Sequence, residues 1–236
     1  MLVIGHINLT SQDAASVLKE FGTKDDRDYA DRYRRQHRRH QSLYSRALLR
    51  YLISIKFPEI DCRAKIRQSK DGRPYFDLSG GRREIDISLT HSHGMAAAAV
   101  SSMGAVGIDI EYVKQQRNFA AMAEHAFDLT AGEASTWADA GRFYSLWSVV
   151  ECLVKANILA DGAAVEPDKF EALSEDSLYC LTLGAKVAMI GHKDLGSYAM
   201  GLAINLAPEF PVATNSSTWP TPQPNDRSVT IYEISS

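Results

Sequence analysis

The stretch VGIDIE, residues 106–111, places two carboxylates in a segment that otherwise has the pattern of a buried strand. Successive side chains of a strand point to opposite faces, so the aliphatic residues share one face, and Asp109 and Glu111 share the other. The two acidic residues lie roughly 7 Å apart at their Cα atoms. Like charges at this distance repel, and the stretch therefore predicts a strand whose acidic face is covered by a cation or by water.

The acidic face of this strand has two interpretations. A solvated edge strand would explain Asp109 and Glu111 without any function. Gly104 and Gly107 bracket the pair, however, and glycine in a strand allows another backbone to approach closely. Protein sites for Mg²⁺ commonly use one or two carboxylates together with water and the phosphate oxygens of a substrate. The second interpretation is therefore a magnesium site, with Mn²⁺ as the alternative ion.

Helices and strands alternate in blocks around this stretch. Ser11 is predicted as the N-cap of a short first helix, and residues 25–57 have the pattern of one helix, which would have about nine turns if it is unbroken. Residues 83–92 alternate between polar and aliphatic side chains, which is typical of a strand. Residues 94–102 and 105–113 are strand-like segments on either side of a short turn, and they predict a hairpin.

The second half of the sequence repeats the order of helices followed by strands. Residues 141–159 have apolar side chains at helical spacing, and three later segments predict strands. These strands fall at 170–183, 197–206 and 228–234, with a loop at 207–227. The repeated order predicts an α+β fold made of two similar halves, residues 1–112 and 113–236.

Composition excludes several classes of protein. The net charge of −3 over 236 residues gives no overall field that favours nucleic acid or an anionic membrane. No apolar run reaches the length of a membrane span, and the first residues lack a signal-peptide pattern. The three scattered cysteines, Cys62, Cys152 and Cys180, indicate free thiols in a reducing compartment. A cytoplasmic protein is the expectation.

Two further groups of residues are candidates for chemistry. Glu151 and Lys155 are four residues apart on a predicted helix, where a surface ion pair worth about 0.3–0.5 kcal/mol would explain both. A functional role requires Glu151 to face the acidic strand. His91 and His93 follow a strand and have the spacing of a zinc pair. Nearby hydroxyl side chains favour a phosphate contact instead, and a structural histidine is the third alternative.

Eight arginines lie between residues 27 and 50, and they are the strongest local charge in the sequence. A solvated helix face explains most charge runs of this kind. The functional alternative is a site for an anionic ligand. RNA binding is disfavoured because the chain is acidic overall and aromatic residues do not interleave the arginines.

Taken together, five motifs resemble those of the Sfp-type 4′-phosphopantetheinyl transferases. The family shows a G-[KR]-P turn, [ST]-H-S after a strand, G-[IV]-D-[IV]-E, F-x-x-x-E, and W-[ST]-x-K-E-x-x-x-K. The matching residues here are Gly72-Arg73-Pro74, Thr90-His91-Ser92, Gly107-Ile108-Asp109-Ile110-Glu111, Phe127–Glu133 and Trp147–Lys155. The fourth motif departs from the family in its spacing, and Val150 replaces the lysine usual in the fifth.

The resemblance implies a pseudo-twofold α+β monomer with coenzyme A in the cleft between its halves. The implied reaction transfers the phosphopantetheine arm of coenzyme A to a serine of an apo acyl or peptidyl carrier protein and releases 3′,5′-ADP. Carriers of fatty-acid, polyketide and nonribosomal-peptide biosynthesis all fit this reaction. Mg²⁺ would neutralise charge on the diphosphate during in-line attack.

The resemblance also implies roles for individual residues. Those implied to bind the metal are Asp109, Glu111 and Glu151. Glu151 would also act as the general base, with Lys155 as a phosphate contact. Those implied to contact coenzyme A are Arg39, Arg46, Arg73, Pro74, Thr90, His91 and Lys155.

Three alternatives to the transferase remain open at this point. Val150 raises the first, a non-catalytic protein that binds coenzyme A or a carrier protein. The second is a zinc-dependent hydrolase that uses His91 and His93. The third is an RNA-binding protein that uses the arginine-rich helix, although neither nucleic acid nor a membrane is an expected partner.

Overall fold

The computed structural model confirms the α+β class, with 34% helix, 34% strand and antiparallel sheets. The structure describes residues 1–78, 85–160, 162–163, 165–170, 176–183, 186–206, 217–223, 225 and 227–234. Most of the predicted loop at 207–227 and part of the predicted strand at 170–183 lie outside these residues.

The described helices and strands follow one another in blocks. The helices are α1 (Gln12–Phe21), α2 (Lys24–Ala30), α3 (Gln36–Lys56), α4 (Phe119–Phe127), α5 (Ala131–Ser135) and α6 (Ala140–Lys155), with a 3₁₀ helix at Pro167–Phe170. The strands are β1 (Leu2–Asn8), β2 (Lys65–Gln68), β3 (Pro74–Asp77), β4 (Asp86–Ser92), β5 (Met95–Ser101), β6 (Gly104–Tyr112), β7 (Ser177–Leu183), β8 (Lys186–Asp194), β9 (Tyr198–Leu206), β10 (Ser217–Thr218) and β11 (Val229–Ile234). Within the described residues, no helix is both long and apolar enough to cross a bilayer.

Two antiparallel sheets pack against each other between two layers of helices. The first sheet has the order β11-β1-β5-β4, and the second has the order β10-β7-β8-β9-β6. Ile4 and Ala97 of the first sheet meet Ile108 and Leu202 of the second in a shared apolar core. The outer faces pack against α3 and α6 respectively. Because β5 is buried on both faces, its sequence is a continuous apolar run without alternation.

The sheets do not follow the predicted division of the chain at residue 112. Strand β6, which precedes this point, belongs to the second sheet, and β11, which follows it, pairs with β1 in the first. The chain therefore links the two layers at both ends, and the boundary between residues 1–112 and 113–236 stays a prediction.

The predicted hairpin of residues 94–102 and 105–113 is wrong. Strand β5 instead pairs with β4 across the turn at His93 and Gly94, while β6 crosses to the other sheet and pairs with β9. Side chains of β4 accept hydrogen bonds from the outer edge of β6. The pairs are Asp86 Oδ2 with Val106 N (2.7 Å), Ser88 Oγ with Ile108 N (3.1 Å), Thr90 Oγ1 with Ile110 N (3.3 Å) and Ser92 Oγ with Tyr112 N (3.1 Å). The polar alternation of β4 thus joins the two sheets and satisfies the edge of β6.

The predicted single helix of residues 25–57 is also wrong, because the chain breaks between Ala30 and Gln36. Thr23 and Asp26 form a capping box that starts the first piece. The apolar stripe is confined to the second piece, so an unbroken helix would leave its first turns without a surface to pack on. By turning back, the chain brings Asp26 against the buried side of α3.

Candidate functional site

A cavity of about 510 Å³ lies between α2 and α3 on one side and β4 and the end of α6 on the other, with the β2–β3 turn at its border. Segments far apart in sequence supply its walls. The residues predicted to bind the ligand that line it are Arg46, Arg73, Pro74, His91 and Lys155. Half of the ten predicted site residues therefore share one cavity.

Asp109 lies buried beside this cavity, on the face of β6 that the alternation predicts. The Oδ1 atom accepts hydrogen bonds from Lys155 Nζ at 2.6 Å and from Thr90 Oγ1 at 2.9 Å. The Oδ2 atom is buried and has no hydrogen-bond partner within the described residues. Lys155 thus neutralises the Oδ1 side of the Asp109 carboxylate, and the Oδ2 atom can still accept a bond from a ligand.

Two glycines bring α6 onto the acidic face of the second sheet. A Cβ atom on Gly107 would overlap the carbonyl oxygen of Cys152, and one on Gly201 would come within 2.5 Å of the carbonyl group of Ser148. Only glycine allows this separation of backbones, which was predicted from the sequence at Gly107 but not at Gly201. Because α6 lies this close to β6, Lys155 of α6 reaches Asp109 of β6.

Lys155 links the helix to the strand electrostatically. Its ammonium group also donates to the Ile108 carbonyl oxygen at 3.0 Å. Burial alone would lower the pKa of Lys155, but Asp109 and Glu151 outweigh burial and raise it. Glu151, one turn earlier on α6, is half-buried and close enough to act on Lys155 electrostatically. Asp109 and Lys155 are therefore brought together, and Glu151 lies one turn before Lys155 on the same helix.

Glu111 faces a second cavity, of about 360 Å³, on the other side of Asp109. Burial and the neighbouring Asp109 carboxylate raise the pKa of Glu111. Its Oε2 atom accepts a hydrogen bond from Ser92 Oγ at 3.3 Å. The wall of this cavity includes the aromatic side chains of Tyr112, Phe143, Tyr144 and Trp147. The acidic strand thus lies beside two cavities, the first with Arg46, Arg73 and Lys155 in its wall and the second with four aromatic side chains.

The two histidines of the THSHG segment point into different cavities. His91 lines the first cavity, and Arg38 Nη1 lies 3.4 Å from its Nδ1 atom. His93 has a φ of 48° in the β4–β5 turn, lines the second cavity and packs on Tyr112 at a ring distance of 4.4 Å. Burial and the Arg38 charge lower the pKa of His91 to about 4, so its imidazole is neutral at pH 7.

Two of the predicted ligand contacts are engaged elsewhere. Thr90 is buried and donates its hydroxyl proton to Asp109. Arg39 donates through Nε to the Tyr33 carbonyl oxygen at 2.7 Å and is not among the described residues that line the first cavity. Thr90 therefore positions the acidic strand, and Arg39 braces the segment between α2 and α3.

A buried group at Asp26 was not predicted from the sequence. Arg50 donates to both carboxylate oxygens of Asp26, at 2.8 and 3.1 Å, and Arg46 Nη1 lies 3.4 Å from Oδ1. The guanidinium carbon of Arg46 lies 3.7 Å from the centre of the Tyr29 ring. The Thr23-x-x-Asp26 spacing could have predicted the helix start, but nothing local indicates pairing with residues 20 and 24 positions away.

The acidic strand fits a divalent cation in part. Within the described residues, no group of three or more His, Cys, Asp or Glu side chains lies together in a way that could hold a metal. Mg²⁺ commonly takes one or two protein carboxylates and completes its shell with water and substrate oxygens. Two carboxylates of the strand meet this requirement of one or two protein ligands. Asp109 has a buried Oδ2 atom without a hydrogen-bond partner, and the anion of Glu111 is disfavoured by burial and by the Asp109 charge.

No family model matches the chain, and no curated protein matches it.

Proposed function

We propose that this protein is an Sfp-type 4′-phosphopantetheinyl transferase, which moves the 4′-phosphopantetheine arm of coenzyme A to a serine of an apo acyl or peptidyl carrier protein and releases 3′,5′-ADP. The observation that carries the proposal is the first cavity. Residues of the G-R-P turn, the T-H-S strand end and the final W-S-x-x-E-x-x-x-K helix line it together, next to the acidic strand. The order of the motifs along the sequence does not by itself require their residues to line one cavity.

The proposal includes the finer description of the fold as two similar halves related by a pseudo-twofold axis. Each antiparallel sheet packs one face on the other sheet and its opposite face on a long helix, α3 in one case and α6 in the other. This arrangement supports two related halves.

The cavity wall supports the ligand-binding roles that the resemblance implies. Arg73 and Pro74, at the β2–β3 turn, line the cavity and would border the adenine, and Arg73 Nη2 donates to Asp86 Oδ2 at 2.5 Å. His91 is neutral at pH 7 and offers one N–H donor to a phosphate oxygen. Lys155 keeps its positive charge because Asp109 raises its pKa, so it can stabilise charge on the leaving phosphate.

The reaction exchanges one phosphorus–oxygen bond for another. The serine oxygen forms a bond to the phosphorus that carries the pantetheine arm, while the bond from that phosphorus to the bridging oxygen breaks and its electron pair leaves with 3′,5′-ADP. The serine proton is transferred to a base, for which Glu151 is the candidate. Asp109 and Glu111 are the residues that would hold Mg²⁺, which when bound would supply charge neutralisation at the diphosphate; the described residues do not bring Glu151 into one group with them.

The test is the mass of an apo carrier protein after incubation with this protein, coenzyme A and Mg²⁺. We expect the carrier to gain one phosphopantetheine group on serine, and a carrier with that serine changed to alanine to gain nothing. Coenzyme A binding without transfer to any of a panel of fatty-acid, polyketide and peptide carriers would contradict the proposal. That result would favour the non-catalytic coenzyme A-binding protein instead.

A further inference from the structure

Three hydroxyl side chains of β4, which we call the hydroxyl row, lie against the edge of β6: Ser88, Thr90 and Ser92. All three residues are buried, with at most 9% of each exposed. Each hydroxyl oxygen accepts a hydrogen bond from a backbone N–H group of β6, at residues 108, 110 and 112 respectively. This bond uses a lone pair of the hydroxyl oxygen and leaves the hydroxyl proton to be donated elsewhere.

Two members of the hydroxyl row donate their protons to the acidic side chains of β6. Thr90 Oγ1 donates to Asp109 Oδ1 at 2.9 Å, and Ser92 Oγ donates to Glu111 Oε2 at 3.3 Å. His93 Nδ1 also lies 3.3 Å from Ser92 Oγ and, in its Nδ1–H tautomer, donates to it. The two contacts repeat one geometry, in which a hydroxyl accepts from the N–H group of one β6 residue and donates to the carboxylate of the residue before it.

Helix α6 supplies a second donor to each of these carboxylates. Lys155 Nζ donates to Asp109 Oδ1 at 2.6 Å, and the Trp147 side chain donates to Glu111. Each acidic side chain is therefore held by one donor from β4 and one from α6, which restricts its orientation. The Oδ2 atom of Asp109 is buried and has no hydrogen-bond partner within the described residues, so it is available to a ligand at a fixed position.

A fixed pair of carboxylates favours a small divalent cation. The Cα atoms of residues 109 and 111 lie roughly 7 Å apart, so their side chains must converge to reach one ion. Mg²⁺ requires a near-ideal octahedron of oxygens at about 2.0–2.1 Å, whereas Ca²⁺ accepts flexible arrangements at about 2.3–2.6 Å. Rigid carboxylates therefore favour Mg²⁺, and loosening them should weaken Mg²⁺ binding more than Ca²⁺ binding.

We infer that Thr90 and Ser92 are positioning residues for a divalent-cation site, and that they orient Asp109 and Glu111 so that the site prefers Mg²⁺ or Mn²⁺ to Ca²⁺. The inference rests on the proposed function for the presence of the cation. It assigns both hydroxyl groups to the cation site, whereas the resemblance implies a coenzyme A contact for Thr90.

The test is a titration of the protein with Mn²⁺, followed by electron paramagnetic resonance without and with coenzyme A, and with Mg²⁺ and Ca²⁺ as competitors. We expect the wild type to bind Mn²⁺ and Mg²⁺ more tightly than Ca²⁺. Ser92→Ala and Thr90→Val each remove one hydroxyl group, and each should weaken Mn²⁺ and Mg²⁺ binding about 10- to 100-fold. Ca²⁺ binding should change less than roughly threefold, because Ca²⁺ tolerates a looser set of ligands.

The third member of the hydroxyl row provides the matched control, Ser88→Ala. Ser88 is buried like the other two and accepts from β6 in the same way, but the β6 residue in the carboxylate position is Gly107, which has no side chain. Ser88→Ala should therefore keep the cation preference of the wild type. Thr90→Ser keeps the hydroxyl group and should retain the preference that Thr90→Val loses. A merely structural role would make Ser88→Ala as damaging as Ser92→Ala, because both changes loosen the contact between β4 and β6.

The outcomes separate this inference from the proposed function. An unchanged cation preference in Ser92→Ala or in Thr90→Val would overturn the inference, and so would an equal loss in Ser88→Ala or a wild type that binds no Mn²⁺ under either condition. A wild type that prefers Mg²⁺ and loses this preference in the two variants, yet transfers to no carrier protein, would support the inference while contradicting the transferase. Transfer by the wild type, with the preference unchanged in the variants, would do the reverse.

Discussion

The two walls of the first cavity are built from the same kinds of buried groups in opposite proportions. On the α2–α3 wall, the Asp26 carboxylate is shared by two arginines. Beside the opposite wall, Lys155 is paired with Asp109 of β6, and two residues further along this strand burial and the Asp109 charge disfavour the anion of Glu111, which itself faces the second cavity. The α2–α3 wall therefore has an excess of cations, and the acidic strand beside the opposite wall has an excess of carboxylates.

This difference shows how a single cavity can be complementary to a ligand that carries both negative and positive charge. The cationic excess is relieved by an anion, and the carboxylate excess by a cation, so a phosphorylated nucleotide with a divalent metal complements both walls at once. Neither wall is explained by stability alone, because a balanced pair would cost less to bury in each. The predictions below test the two walls separately.

The largest effect is expected at the acidic wall, from Glu151→Gln. This change keeps the shape of the side chain and removes its charge, and loss of a general base typically lowers the rate about 10²- to 10⁴-fold. Coenzyme A should still bind through the opposite wall. Carrier-protein mass spectrometry measures the rate, with Glu124→Gln, an exposed glutamate on α4, as the control. Transfer as fast as in the wild type would contradict the mechanism while leaving the fold unaffected.

The walls should differ in what they contribute to stability. Asp26→Asn leaves two buried arginines without a carboxylate and should lower the free energy of unfolding by about 3–5 kcal/mol. Asp109→Ala also breaks an ion pair but relieves repulsion with Glu111, so it should lose transfer activity more than stability. Urea denaturation measures both variants, with the exposed Asp28→Asn as the control. A larger stability loss in Asp109→Ala than in Asp26→Asn would show that the acidic strand is structural.

A pH dependence of stability is expected from His91. Its pKa falls from 6.5 to about 4 on folding, because burial disfavours the charged form. The unfolded chain therefore binds more protons between these values, and the stabilisation is complete above pH 6.5 and is lost as pH falls toward 4. At pH 5 the loss should be about 2 kcal/mol relative to pH 7.

Unfolding of His91→Gln at the two pH values isolates this contribution. The variant should show a smaller stability difference between pH 7 and pH 5 than the wild type, whereas His40→Gln, at an exposed position, should retain the full difference. The pKa of His6 is also lowered to about 4, so His6 contributes to the stability difference between pH 7 and pH 5 in both variants. An unchanged pH profile in His91→Gln would show that His91 is not held neutral.

The smallest effect is expected from Val150→Lys, which restores the residue usual in the resembling family. Val150 is half-buried against the apolar core beneath α6 and is not among the described residues of the first cavity wall. The added lysine should change coenzyme A affinity less than tenfold, because Lys155 and Arg46 already supply positive charge there. If wild type is inactive on all carriers and Val150→Lys is active, the natural protein is a non-catalytic binder.

Several features of this protein were determined by sequence alone, because they depend on local periodicity and capping. The alternation of VGIDIE predicted that Asp109 and the buried Ile108 lie on opposite faces, and Ser11 caps α1 as predicted by accepting a hydrogen bond from Ala14 N at 3.1 Å. The glycine at 107 correctly indicated a close backbone approach. Each of these signals acts within a few residues.

Strand partners and the break in the arginine-rich helix were decided by tertiary structure. Residues 94–102 and 105–113 look like a hairpin, but β6 is buried in a different sheet, where β9 and the side chains of β4 satisfy its backbone. Strand β8 was missed because its apolar segment lacks the alternation of a half-buried strand. Strand pairing and helix breaks depend on which distant surfaces of the chain can be buried together. The periodicity of one segment does not specify the segment that it packs against.

The charge balance of the cavity was likewise decided only in three dimensions. From the sequence, Arg46 was one of eight arginines in a basic run and Asp26 one of several acids beside it. The packing of α2 against α3 pairs Asp26 with both Arg46 and Arg50, while α6 brings Lys155 to the acidic strand. Sequence determines which charges are present, but burial decides which remain uncompensated, because the cost of an unpaired charge arises only after water has been excluded.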